Sequence, residues 1–339
     1  MSRSLDSDVL RNLKSEDPTP IYKDICSALT CLPEDGSLLE IELLGKAHPL
    51  EPGVNYLQDG NAIAVPKLRL AQAFFVARQI IQKYLITRPE HPSNETVTAT
   101  AVVLLMDPEH LTAANIRKRA VVSNNLSERD SALGKEKQFI DSLLTARLHR
   151  HTKSPTLWSH RRWLIQHFRK LGAVSDARHD IATVVMVAAE RHPRNYYAWQ
   201  HARWLLQNLA DEQSEAIMNI GDDVKEWCLK HHNDISGWMY LTFVIQNIQD
   251  AGSRARQCSS MLTDTLGMAK SFRWTNESVW VFLRTIVASS LVSRELFESF
   301  LATSKSLSST VGADSATVRH LDASVEWARQ HRQDLRERT

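Results

Sequence analysis

Glycine is scarce in this chain. Eleven of 339 residues are Gly, about half the usual share of ~7%, and a shortage of that kind favours helix. Proline also counts eleven, but none follows Pro193, and a proline-free C-terminal half is what long helices need. Cysteine is rarer still. Cys26, Cys31, Cys228 and Cys258 form no C-x-x-C pair, which excludes a zinc ribbon or a dithiol redox motif. Four scattered thiols in a chain this long suit a reducing compartment. Long apolar runs are missing as well: "IATVVMVAA" is too short to cross a bilayer. The segment "MSRSLDSDVLRNLK" is charged throughout and shows no signal peptide. There is no Gly-rich phosphate loop, no G-x-S-x-G elbow and no H-E-x-x-H. The net charge of +2 rules out a polybasic or acidic chain. The expectation is a cytoplasmic protein that does not span a membrane.

What is present is a repeated phrase. "SPTLWSHRRWLI" at 154–165 returns as "NYYAWQHARWLL" at 195–206. Aligning the chain on Ala114, Trp158, Trp199, Trp238 and Trp280 gives spacings of 44, 41, 39 and 42 residues, the period of a two-helix solenoid unit. Four residues before each anchor stand His110, Ser154, Asn195, Asp234 and Asn276. All but His110 are strong N-caps, whose side-chain oxygens take up free backbone N–H groups. Pro155 sits at a first helical position, and Pro108 and Pro193 each stand six residues before an anchor. Six and seven residues past the anchors the chain is apolar every time: Ala120/Val121, Leu164/Ile165, Leu205/Leu206, Val244/Ile245 and Ile286/Val287. An anchor and its seventh neighbour share a helical face, so each anchor opens the second helix of a pair and packs inward.

The first helices fall between, at 94–106, 136–150, 176–191, 213–231 and 256–270, with Ser93 or Asn94 and Ser175 as caps. Phe139, Leu143, Leu144 and Leu148 form one apolar stripe; Ile181, Val184, Val185 and Ala188 form another. Outside the array, Pro66 opens a helix at 66–86, and 293–304 with 315–335 read as a closing pair with Trp327 inward. The expected fold class is all-α: an α-α superhelix, a right-handed solenoid of helix pairs. A 1–65 irregular N-terminal segment precedes a single helical-repeat domain over 66–339. "LLEIELL" fits a short strand or a buried extended segment, and "PLEPGVNYLQDGNA" reads as loop.

Charge is uneven. Residues 147–204 hold 11 Lys/Arg and 3 Asp/Glu, a local net of +8 in a chain of +2 overall. One reading is a solvated basic face. The other is an anion site, because Lys153 and Arg194 both stand five residues before an anchor, just ahead of a helix N-terminus whose free N–H groups favour phosphate. An RNA surface would recur in every repeat, whereas the basic charge stops after the third, so no nucleic acid is expected. His149, His151, His160 and His167 suggest a metal, but His160 and His201 are both two residues after an anchor. Repetition accounts for them, and no ligand spacing appears. No metal is expected on this chain.

The phrases "KSPTLWSHRRWLIQHF", "NYYAWQHARWLLQNL", "NESVWVFLRTIV" and "DPEHLTAANIRKRAV" resemble the protein prenyltransferase alpha subunit repeat, over roughly residues 93–290. The family usually places Arg three residues after the anchor. Arg117 and Arg161 obey; Ala202, Leu241 and Leu283 do not, and Arg203 stands one place later, as Arg162 does. The resemblance implies the alpha-type subunit of a heterodimeric protein prenyltransferase, specifically a geranylgeranyltransferase, inactive alone. The partner is then a beta subunit of the Rab geranylgeranyltransferase type, with zinc on that beta subunit and no cofactor here. Together they transfer an isoprenoid from its diphosphate to the cysteine of a protein substrate. The same resemblance implies that Lys153 is the catalytic cation beside the diphosphate, and that Asn195 and Tyr196 match the family's Asn-Tyr nearby. Tyr197 stands where farnesyltransferase alpha subunits often have His, and Arg194 completes the diphosphate vicinity. The alternative is a non-catalytic TPR-like scaffold or protein-interaction adaptor, motivated by the anchor Arg missing from three repeats.

Overall fold

A computed structural model of the chain describes residues 17–45, 48, 50–172, 176–208, 214–309 and 316–332. Contacts divide the chain into two compact units. One is Met1–Asp176 with Val187–His192; the other is Ala177–Met186 with Pro193–Thr339.

In the first unit, α1 (Thr19–Thr30) packs against α2 (Lys67–Thr87) and α3 (Asn94–Met106). Between α1 and α2 lies a small sheet of β1 (Glu40–Leu44), β2 (Leu57–Asp59) and β3 (Ala62–Pro66), in the order β1-β3-β2. β1 runs parallel to β3, with Ile41 opposite Ile63 and Leu43 opposite Val65. The "EIELL" stretch is therefore a strand, with Ile41 fully buried. The loop expected over "PLEPGVNYLQDGNA" is corrected at its end. β2 and β3 are joined through Gly60, whose φ of 57° lies in the left-handed region that Asp-Gly hairpins exploit. Nor is the 1–65 segment irregular among its described residues. Ser142 accepts the Leu39 N–H at 3.0 Å, and Gln138 donates to the carbonyls of Pro33 and Ser37. Those two side chains pin the segment to the helix that runs over Leu126–Thr145.

α4 (Leu111–Ser123), α5 (Leu126–Thr145) and α6 (Pro155–Lys170) complete this unit. The helix expected at 136–150 is corrected at both ends. Asn125 caps it by accepting the Glu128 N–H, which starts it nearly three turns early, and it stops at Thr145, so Leu148 is buried from a turn.

α7 runs as Ala177–Asp180, a π-helical segment Ile181–Val185, and Met186–Arg191; Ser175, its expected cap, lies outside the described residues. The second unit holds Ala177–Met186 of α7 and then α8 (Tyr196–Gln207), α9 (Ser214–Lys230), α10 (Ile235–Gln246), α11 (Ala251–Phe272), α12 (Glu277–Val287), α13 (Arg294–Ser308) and α14 (Ala316–His331). Second helices stack on second helices: α8 on α10, α10 on α12, α12 on α14. The fold is an all-α helical repeat, and no strand occurs among the described residues of 93–290. Trp238, Trp280, Tyr240, Phe282 and Phe300 fill this unit's core. Trp327 is only half-buried, with the Arg284 guanidinium 4.9 Å above its ring.

Candidate functional site

The repeated phrase is first a device for starting helices. Ser154, Asn195 and Asp234 accept backbone N–H groups of their own first turns, and His110 does the same with Nδ1, which accepts the Ala113 N–H at 3.2 Å. Asn276 corrects the pattern. Its side chain makes no cap bond and instead donates to the His232 carbonyl at 2.7 Å. Caps also tie one repeat to the one before. Ser154 donates to the Pro108 carbonyl, and Asp234 accepts the Arg194 N–H at 2.6 Å. The four tryptophan anchors are buried. Three donate their indole N–H to the carbonyl six residues upstream, at Thr152, His232 and Trp274. Trp199 does not, and its Nε1 has no partner among the described residues. The residue six upstream is Pro193, and Arg194 has a φ of 60°. That left-handed turn swings the Pro193–Arg194 peptide so that its N–H meets Asp234. The backbone of Arg194 is thus committed to structure, whatever its exposed side chain does.

The Arg three places after an anchor has a second structural role that the sequence did not reveal. Arg117 grips Glu136 on α5 with two donors, Nε at 2.8 Å and Nη2 at 2.7 Å, and also reaches Thr100. Arg161, with no exposed surface, bonds Asp141 on the same helix at 2.7 Å. The legible signal was an acid in the apolar stripe of α5, since a buried carboxylate demands a cation. Burial raises the pKa of Glu136, but the Arg117 guanidinium, paired and hydrogen-bonded to it, outweighs burial and holds the carboxyl below its ordinary range. His160 is 3.4 Å from Glu136, yet burial pushes its imidazole down to about 4, so it is neutral near pH 7.

Lys153 sits on the turn that leads into α6, half-buried and without a hydrogen bond or ion pair among the described residues. Nearby, Arg150 pairs with Asp107 at 3.0 Å and the Thr156 hydroxyl donates to Glu109 at 2.8 Å. The imidazoles of His149 and His192 meet edge to face at 4.1 Å, and His192 is pushed down by burial first, then by His149 and Lys153. In the second unit, Asn195 is buried and capping, while Tyr196 is 64% exposed and meets Tyr197 edge to face. The histidine group is dispersed: His151 lies on the Leu104 carbonyl and His167 on that of Trp163. No cluster of three or more potential metal ligands occurs among the described residues, and no helix is long and apolar enough to cross a membrane.

Two sequence families match. The protein prenyltransferase alpha subunit repeat matches residues 135–168, which hold the end of α5, Lys153, Trp158 and most of α6, and the ECM9 middle domain matches 157–266. The resemblance read from the phrases is thereby shown for the second repeat. The chain is similar to human protein prenyltransferase alpha subunit repeat-containing protein 1, at 30% identity over 173 residues, 46% of this chain and 40% of that protein. It is similar to the zebrafish (Danio rerio) protein of the same name at 37% over 75 residues, 22% of this chain and 15% of that protein. To protein 1-B of Xenopus laevis it is 28% identical over 173 residues, 46% of this chain and 38% of that protein. The matched stretch is thus less than half of each relative.

Proposed function

We propose that this chain is the alpha-type subunit of a heterodimeric protein prenyltransferase, a geranylgeranyltransferase acting in the cytoplasm with a beta subunit of the Rab type. The observation that carries the reading is Lys153. It is a cation with no partner among the described residues, on the turn into a helix N-terminus, inside the stretch that matches the prenyltransferase repeat. Cations and helix N-termini both favour anions, and two nearby carboxylates are engaged elsewhere, Asp107 with Arg150 and Glu109 with the Thr156 hydroxyl.

Zinc, held by the beta subunit, would supply the substrate cysteine as a thiolate at neutral pH. The thiolate attacks the first carbon of the isoprenoid as the bond to diphosphate breaks. Lys153 donates to the departing diphosphate, where charge develops. Within the second unit, Arg194, Tyr196 and Tyr197 keep exposed side chains, while the amide oxygen of Asn195 is spent on its own helix.

Co-expression with a Rab-type beta subunit, followed by transfer of labelled geranylgeranyl diphosphate to cytosolic proteins, tests the reading. A stable heterodimer that labels protein cysteines supports it. A pull-down that reproducibly returns only unrelated partners supports the scaffold alternative.

A further inference from the structure

The second unit carries an open cleft that no anchor, cap or candidate diphosphate residue explains. Its volume is about 180 Å³, and it is walled by Arg203 on α8, Ile235, Met239 and Phe243 on α10, and Val281 and Phe282 on α12. The two threonines that also line it, Thr242 and Thr285, each donate their hydroxyl to a carbonyl four residues back. Their polarity is spent on their own helices, which leaves the Gln246 amide and Arg203 as the polar groups of the lining.

Arg203 is the one charge in the lining, and no Asp or Glu stands there. Its guanidinium lies 4.6 Å above the Phe243 ring, and one nitrogen donates to the Met239 carbonyl at 3.0 Å. The remaining N–H groups have no partner among the described residues. Stacking on an aromatic face fixes the fork while leaving its edge available to a planar anion. Next to it Met239 is 47% exposed, and Tyr196, two helical turns before Arg203 on α8, is more exposed still. Arg, Met and Tyr around an apolar pocket are the residues that concentrate at protein interfaces.

The size decides between occupants. Sites for small ligands enclose roughly 300–1,000 Å³; this cleft takes one bulky side chain. We propose that it receives an apolar side chain of an amphipathic helical segment from a partner protein, with a carboxylate on that segment paired to Arg203. The walls are helices packed side by side, the geometry into which a partner helix lays its apolar stripe. The inference is independent of the Lys153 reading and of any transferase activity.

The test uses the full chain and a phage-displayed library of random peptides about four helical turns long. Enriched peptides are expected to carry Asp or Glu within one turn of Leu, Phe or Met. Their binding should weaken ~10-fold or more in Arg203→Met and in Met239→Glu, the range for losing a central anchor. Arg203→Lys, which keeps charge but not the stacked fork, should fall between, and unchanged melting transitions exclude misfolding. Enriched peptides without an acid, binding that ignores Arg203→Met, or no enrichment over an unrelated protein each overturn the proposal. So does a concentration-dependent dimer that Met239→Glu abolishes, because the occupant is then a second copy.

Discussion

At the scale of single residues, two basic side chains in equivalent places have different consequences. Lys153 is used for neither a cap nor an ion pair, so Lys153→Ala is expected to leave the melting temperature and beta-subunit binding nearly unchanged. In the assembled heterodimer it should slow transfer by ~10–1000-fold, the range for removing one donor to a developing anion. Parent-rate transfer by that variant would remove the diphosphate role. Arg194 behaves differently because its backbone matters more than its side chain. A non-Gly residue at positive φ costs about 1–2 kcal/mol, here offset by the bond to Asp234. Arg194→Gly is therefore expected to hold or raise stability by up to ~1 kcal/mol. Asp234→Ala, which strips an acceptor from the N–H groups of Arg194, Ser236 and Gly237, should cost ~1–3 kcal/mol. Urea titration of both variants checks the pair, and a destabilised Arg194→Gly would mean that the side chain holds the turn.

Among elements, the second helices were legible because cap, anchor and apolar pair recur at fixed spacing, and each begins where its cap stands. The first helices were less legible. α5 begins at a cap, Asn125, that lies outside the repeated phrase, and its stripe contains acids that look exposed until Arg117 and Arg161 are seen to reach them. The sheet was half legible, since three-residue β2 is too short for alternation to show. The candidate site was legible only through the family phrase; the cleft at Arg203 was not, because it is assembled from three helices far apart in sequence. The anchors allow a comparison within one protein. Trp158→Phe loses ring volume and the bond to Thr152, whereas Trp199→Phe loses volume but also removes an unpartnered buried donor. The first is expected to cost ~1 kcal/mol more than the second; equal costs would show that the Trp199 indole finds a partner. Acid lability follows from the same helices. His151 and His160 are pushed down to about 4 by burial, against an unperturbed value of 6.5. The unfolded chain therefore takes up protons first, and stability present above pH 6.5 is lost as pH falls toward 4, by a few kcal/mol at order of magnitude. His160→Gln should flatten that slope, as read from denaturant midpoints across the window.

For the whole molecule, the question is what the chain supplies and what a partner must bring. It presents a basic stretch with a cation that has no partner among the described residues, and helices opened by caps and anchors. Among the described residues it gathers no set of side chains that would hold a metal, and its thiols at Cys26, Cys228 and Cys258 are buried, with burial pushing each away from thiolate. On the proposed reading this chain steadies the leaving diphosphate, and activation of the substrate cysteine, whose thiolate is the nucleophile, falls to the beta subunit. The purified chain alone is therefore expected to transfer no isoprenoid, and addition of the beta subunit should start turnover. Chelation separates the two contributions. Removing zinc from the heterodimer should stop transfer, while the melting transition of the isolated chain should be indifferent to the chelator, because a metal stabilises only the fold that binds it. Turnover by the isolated chain, or a melting temperature that drops on chelation, would place the activating chemistry on this subunit and overturn the division of labour.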